Sequence, residues 1–290
     1  MTKTPRTWAD ILVPGYGSWF GAYPGPGNAA PVPYESMVGR KLDIVSRYEG
    51  LDGNWPSPAD LQLIKEGRYL AVCWSSRLSS GGTATWQDVA AGRYDATITA
   101  AAHRLATVGP IWVGYDNEMD GHLRIASSGP LSYYRAAFRR MHSIVAPIAP
   151  NVIWMWCPSG NNMTPDVAAA YPGDGQVDWI CFDPYDPTLS KGGPLAAYRT
   201  FPNWLKNQGI GLHKPKGIYE TGFQRAMDET PAAAAWVASI PDALQNLNIR
   251  MWIWFNSYGG LGDTSLAPGS RAVSALGTVG ARGVMRRPHR

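Results

Sequence analysis

The chain has 290 residues, 45% hydrophobic and 17% charged, which suits one large core and excludes a disordered chain. Four of its 26 basic residues, Arg282, Arg286, Arg287 and Arg290, fall in the last ten, and the remaining 22 balance 22 acidic residues. That formally neutral body excludes a nucleic-acid groove, which needs a basic face. No apolar run approaches the roughly 18 residues of a membrane span. Met1 to Trp8 lacks the pattern of a signal peptide. Cys73, Cys157 and Cys181 show no CxxC spacing and read as buried small hydrophobes rather than a disulfide framework, with room for one bridge at most.

Short β-rich runs alternate with helical stretches along the chain. The first strand is read at Ser18–Tyr23, followed by a Gly/Pro-rich loop (PGPGNAAPVP). Strand two is Leu42–Glu49. A helix over Ser57–Gly67 has Ser57 as its cap, Pro58 in its first turn and Gly67 as its stop. Strand three is Tyr69–Ser76, and a long Ala-rich helix runs from Trp86 to Val108. Strand four is Ile111–Glu118, and Ser132 caps a helix to Ala149. Strand five, Asn151–Pro158, precedes a short helix over Thr164–Tyr171. Strand six is Val177–Tyr185, a helix spans Pro194–Gly209, and strand seven is Lys216–Thr221. A helix opens at Thr230-Pro231 and runs to about Asn248, strand eight is Ile249–Asn256, and a last helix follows Ser265.

Eight strands separated by helical crossovers imply a parallel sheet. The fold class expected is α/β, a single (β/α)8 barrel over residues 1–280, with a basic tail over 281–290 expected to be disordered. An open doubly wound sheet is the runner-up, but the loop after strand one is PGPG rather than GxGxxG. Barrel active sites lie at the C-terminal ends of the strands. Those ends bring Tyr23, Trp74, Asp116-Asn117-Glu118, Trp156, Asp183-Pro184-Tyr185, Tyr219-Glu220-Thr221 and Trp252–Asn256 to one rim. Two glutamates, Glu118 and Glu220, thus end strands four and seven in a chain with 13 Trp, 14 Tyr and 6 Phe. Opposed carboxylates are the requirement for glycosidic cleavage, and flat aromatic faces suit sugar rings.

The motifs carry a specific resemblance. YDNEMDG (Tyr115–Gly121) resembles the acid/base motif of glycoside hydrolase family 26, whose clan places its catalytic glutamates on barrel strands four and seven. YPGDGQVDWICFDPYD (Tyr171–Asp186) is similar to that family's Gly-Asp…Val-Asp-Trp-Ile-Gly-x-Asp-x-Tyr stretch. PKGIYETGF (Pro215–Phe223) resembles its nucleophile strand, and IRMWIWFNS its eighth strand. The likeness runs from about Ser18 to Asn256. It implies Glu118 as general acid/base, Glu220 as nucleophile and Tyr185 as a hydrogen-bond donor to the nucleophile. It also implies Trp254, or alternatively Trp252, stacked under the sugar, with Trp156 and Trp74 as further stacking residues. Asn117 and Asp183 complete the expected substrate-binding set.

One departure bears on substrate. Family mannanases carry Arg-x-x-His-Glu at the acid/base, and here the matching positions are Gly114, Asn117 and Glu118. Asn-Glu is the arrangement common elsewhere in the clan, where the amide contacts the sugar 2-hydroxyl. The substitution leaves hydrolysis plausible and puts β-mannan in doubt. The activity implied is retaining, endo-acting hydrolysis of a β-linked polysaccharide by double displacement, with the carboxyls about 5–5.5 Å apart.

No cofactor or metal is expected. The five histidines are scattered, there is no HExxH, and Asp120-Gly121-His122 reads as a loop turn. The expected partner of a monomeric chain is a polysaccharide or oligosaccharide, with no nucleic acid and no membrane. The polymer is expected outside the cell, reached by a secreted fragment or a virion-associated protein. The competing reading is a glycan-binding or tail-associated barrel that acts on a bacterial surface glycan. A phosphate-binding barrel using Gly259, Gly260 and Gly262 matches poorly, because Thr221-Gly222-Phe223-Gln224 after strand seven does not complete the usual cup.

Overall fold

The computed structural model describes residues 11–285. Eight parallel strands, β1 (Trp19–Tyr23), β2 (Ile44–Glu49), β3 (Tyr69–Trp74), β4 (Ile111–Tyr115), β5 (Val152–Trp156), β6 (Trp179–Phe182), β7 (Lys216–Ile218) and β8 (Ile249–Phe255), pair in chain order. β8 returns to β1, with Trp19 opposite Met251 and Tyr23 opposite Phe255, and the barrel closes. The architecture is a single (β/α)8 barrel.

Strand alternation divides the core into two compartments. Trp19, Ile44, Ala71, Cys73, Trp112, Met155, Trp179, Cys181 and Ile253 fill the barrel interior. Their chain neighbours Phe20, Val45, Leu70, Val72, Trp74, Val113, Trp156, Ile180, Trp252 and Trp254 pack outward under the helices. This is the two-sided burial of a parallel sheet, in which nearly every strand position is apolar. The three cysteines are buried and free.

The base of the barrel is an aromatic plug. Trp112 meets Trp19 and Trp179 edge-on, with ring centroids 6.5 and 5.8 Å away. The Trp19 and Trp179 indole N–H groups donate to the Leu12 and Ile11 carbonyls, both at 2.7 Å. The segment before β1 therefore closes the bottom and satisfies two indoles that would otherwise be buried without partners.

Several helices depart from the sequence expectation. Trp86–Val108 is two helices, Trp86–Ala90 and Asp95–Leu105, broken around Gly92 at φ 90°. A Cβ at Gly92 would come within 2.3 Å of the Arg140 guanidinium. The stretch from Thr230 divides into Pro231–Ala238 and Ile240–Asn246, where Pro241 cannot supply a ladder N–H. The loop after β1 holds an additional helix, Val32–Val38. Asp120-Gly121-His122 opens a helix, His122–Ser128, rather than a plain turn. Helix Leu131–Ile148 begins after Pro130 instead of at a Ser132 cap. Ser57 does cap Pro58–Lys65, in a reciprocal box with Asp60. After β8 a small hairpin forms from β9 (Tyr258–Gly259) and β10 (Gly262–Asp263). Toward the end, Gly283–Met285 makes a 3₁₀ turn with Met285 buried, so this part of the expected tail packs on the barrel. The remainder of the tail, 286–290, lies outside the described residues. No described helix is long and apolar enough to cross a membrane.

Candidate active site

The turn after β4 is strained and tightly anchored. Asp116 and Glu118 adopt φ 43° and 56°, left-handed values that cost non-glycine residues energy and gather at functional sites. Asp116 is buried and accepts the Ser76 N–H (2.8 Å), the Ser76 hydroxyl, the Trp86 indole N–H (2.7 Å) and Arg124 Nη1 (3.0 Å). One carboxylate thus ties the β3 loop, the helix Trp86–Ala90 and the helix His122–Ser128 to the end of β4. The Glu118 N–H donates to the Cys157 carbonyl at 2.8 Å. Asp120 accepts the Ser159 N–H and hydroxyl at 2.8 and 2.6 Å. These bonds hold Glu118 against the end of β5.

Glu220 follows β7. Its N–H donates to Asp183 Oδ1 at 2.9 Å. Its carboxylate accepts the Tyr185 hydroxyl at 2.6 Å on one oxygen and the Tyr48 hydroxyl on the other. Tyr23, Tyr48, Tyr185 and Phe255 form an aromatic collar here, with centroids 4.8 Å apart for Tyr23–Tyr48, 5.2 Å for Tyr23–Phe255 and 6.4 Å for Tyr185–Phe255. Glu118, Glu220 and this collar line one cleft of about 730 Å³, whose lip includes Leu123 and the β9–β10 hairpin.

Oxygens of Glu118, Asp183 and Glu220 lie within 4.8 Å of one another. Burial raises the Glu118 pKa to about 8; the charges of Glu220 and Asp120 add to the rise and Arg124 opposes it. Burial also raises Glu220, but the Tyr185 and Tyr48 donors and the Arg124 charge pull it back. Glu118 therefore holds the proton of the pair. Asp183, completely buried, is pushed well above the carboxylate range by burial and then by Glu220 and Glu118. The trio is close enough to surround a cation. Both Glu220 oxygens already accept phenols, however, and a protonated Asp183 is a poor ligand.

The expected substrate residues fare unequally. Trp74, Trp156, Trp252 and Trp254 are each 0% exposed and lie in the layer between barrel and helices, not in the cleft. Strand parity is the reason: Cys73, Cys157 and Ile253 take the inward positions beside them. The aromatic that reaches the cleft from β8 is Phe255, one residue beyond Trp254. Asp183 is also 0% exposed and supports Glu220 from beneath instead of meeting a ligand. Asn117 is 3% exposed and folds over Gly114, where a Cβ would sit 2.2 Å from its Oδ1. Neither of its amide atoms has a protein partner among the described residues.

Tyr48, Arg77 and Arg124 are cleft residues that sequence reasoning missed, and Phe255, inside the Trp252–Asn256 end of strand eight, was passed over for its tryptophan neighbours. Tyr48 carried a signal, since Ile44, Ser46 and Tyr48 alternate onto the inner face of β2. Phe255 carried the same signal on β8 after Met251 and Ile253. Arg124 carried none, because it reaches the cleft only through the short helix His122–Ser128.

No family model matches the sequence, and no curated protein matches it in sequence. Solved structures do share the fold. A modular endo-β-1,4-mannanase from Cellulomonas fimi superposes with a TM-score of 0.66 at 20% identity, over 95% of this chain and 73% of its own. The catalytic domain of a Bacillus sp. JAMB-750 glycoside hydrolase family 26 endo-β-1,4-mannanase gives 0.65 at 16% identity, over 96% and 90%. A β-mannanase from a symbiotic protist of the termite Reticulitermes speratus, complexed with gluco-manno-oligosaccharide, gives 0.63 at 15% identity, over 95% and 90%. The chain has the barrel fold of these mannanases.

Proposed function

We propose that this protein is a retaining, endo-acting glycoside hydrolase that cleaves a β-linked polysaccharide, with Glu118 as acid/base and Glu220 as nucleophile. The observation that carries this reading is the approach of the Glu118 and Glu220 oxygens to within 4.8 Å. Retaining carboxyl pairs stand about 5–5.5 Å apart, whereas inverting pairs need about 6.5–9.5 Å to admit a water between them. The mannanase fold supports the same reaction class.

In the first step the Glu118 proton passes to the glycosidic oxygen as the bond to the anomeric carbon breaks. Glu220 attacks that carbon and forms a glycosyl ester. Tyr48 and Tyr185 keep the nucleophile ionised in a buried site without adding charge. Once the ester forms, the Glu220 charge is gone and Glu118 becomes more acidic. It then takes a proton from water, and the resulting hydroxide equivalent opens the ester. Asp183 orients Glu220 through the backbone N–H and, as a neutral acid, adds no repulsion.

The test is release of reducing ends from mannans, glucomannans, mixed-linkage glucans, xylans and bacterial wall glycans, with the anomer of the first product read by NMR. Retention gives the β-anomer first; an α-anomer overturns the double displacement. A protein that binds one of these polymers tightly and releases no ends over hours is a glycan-binding barrel instead.

A further inference from the structure

Among the described residues few charged side chains line the cleft: beyond Glu118 and Glu220 there are Arg77 and Arg124. Two of these charges are answered locally. Glu220 accepts two phenols, and Arg124 pairs with Asp116 at 3.0 Å. With Glu118 protonated, Arg77 is left as the unanswered charge of the lining. Its side chain is exposed and has no carboxylate partner among the described residues; Nε reaches the Ser75 hydroxyl at 3.5 Å.

The backbone beneath Arg77 is fixed. Its carbonyl accepts the Leu51 N–H at 2.8 Å, it bridges to Thr83, and the next turn is pinned by Asp52, which accepts the Ser79 N–H and hydroxyl at 2.8 and 2.7 Å. The guanidinium is therefore presented from a rigid loop, which lowers the ordering cost of pairing it with a ligand. The lip supplies the complement of a charge. Leu123, Tyr258 and Leu261 are 73%, 78% and 45% exposed, and all three line this cleft. Exposed apolar groups gathered on one rim mark a binding surface. The combination fits a ligand with flat CH-rich faces and a negative charge. Neutral glycans offer the first property and leave the cation unused.

We infer that the cleft takes a glycan bearing an anionic substituent, carboxylate or phosphate, and that Arg77 pairs with that substituent. The inference rests on reading the site as a glycosidase and names the substrate class of that site.

Four polymers test it: a glucuronate-bearing polysaccharide with its carboxyl-reduced form, and a phosphate-bearing wall glycan with its dephosphorylated form. The expected result is a kcat/KM about tenfold higher for the charged member of one pair, in keeping with a charge-assisted hydrogen bond. That pair identifies the anion. Arg77→Ala should bring the ratio within the pair close to one, Arg77→Lys should retain part of it, and added salt should erode it. Equal rates within both pairs, or a preference that survives Arg77→Ala, overturn the inference while leaving the glycosidase reading intact. Should none of the four be cut, calorimetry on Glu220→Gln protein decides it. Tighter binding of a charged form, lost when Arg77→Ala is added, supports the anion site, and equal or absent binding overturns it.

Discussion

At the scale of single residues, the proposed reaction rests on keeping two nearby carboxyls in opposite protonation states. Glu118 must carry its proton, so kcat/KM should fall as pH rises through about 8. Glu220 must be ionised, so the rate should also fall as pH drops through its raised pKa. Tyr48→Phe removes a donor that holds that pKa down, and the acidic limb should move up by about one pH unit. An unshifted pH–rate profile would show that Tyr48 does not stabilise the nucleophile. The two glutamates should also fail differently. Glu118→Ala keeps the nucleophile, so a substrate with a good leaving group should still form the ester, which azide then opens; Glu220→Ala should give no burst. Azide rescue in the second variant alone would reverse the two roles.

At the scale of elements, the turn after β4 is where distant segments are locked together. Asp116→Ala frees Ser76, Trp86 and Arg124 at once. Leaving a partly buried cation without its partner costs about 3–5 kcal/mol. Denaturant unfolding should register a loss of that size, and turnover should fall with it because Glu118 is two residues away; a loss under 1 kcal/mol would mean the network adds little beyond solvent-exposed pairing. This level also explains what could be read in advance. All eight strands and the convergence of Glu118 and Glu220 on one cleft were legible, since continuous apolar runs and strand-end carboxylates are local features. The stacking tryptophans were misplaced because motif resemblance ignores parity. On β8 the inward set is Met251, Ile253 and Phe255, which alternation alone gives correctly. The helix breaks at Gly92 and Ser239 were hidden by Ala-rich flanks whose propensity favours one long helix. Arg124 was invisible because its position depends on a short helix packed against Asp116, a contact with no sequence period.

For the molecule as a whole, the aromatic plug and the proposed active site occupy opposite ends of the barrel. The base is closed by Ile11 and Leu12 carbonyls over Trp19 and Trp179. Deleting the chain through Val13 removes both acceptors and uncovers the apolar base of the barrel to water. The truncated protein should melt several degrees lower with its pH–rate profile unchanged; a shifted profile would mean that the two ends are coupled.

The outward turn of the strand-end tryptophans has an optical consequence. Among the described residues no tryptophan borders the cleft, which is walled by tyrosine and phenylalanine. Emission excited at the red edge of the indole band should therefore stay nearly constant as an oligosaccharide is titrated in, and acrylamide should quench it poorly. The same emission should shift strongly to longer wavelength in urea, when the buried indoles meet water. In this barrel indole light reports unfolding and is almost blind to occupancy, so binding must be followed by calorimetry or by a chromophore on the sugar.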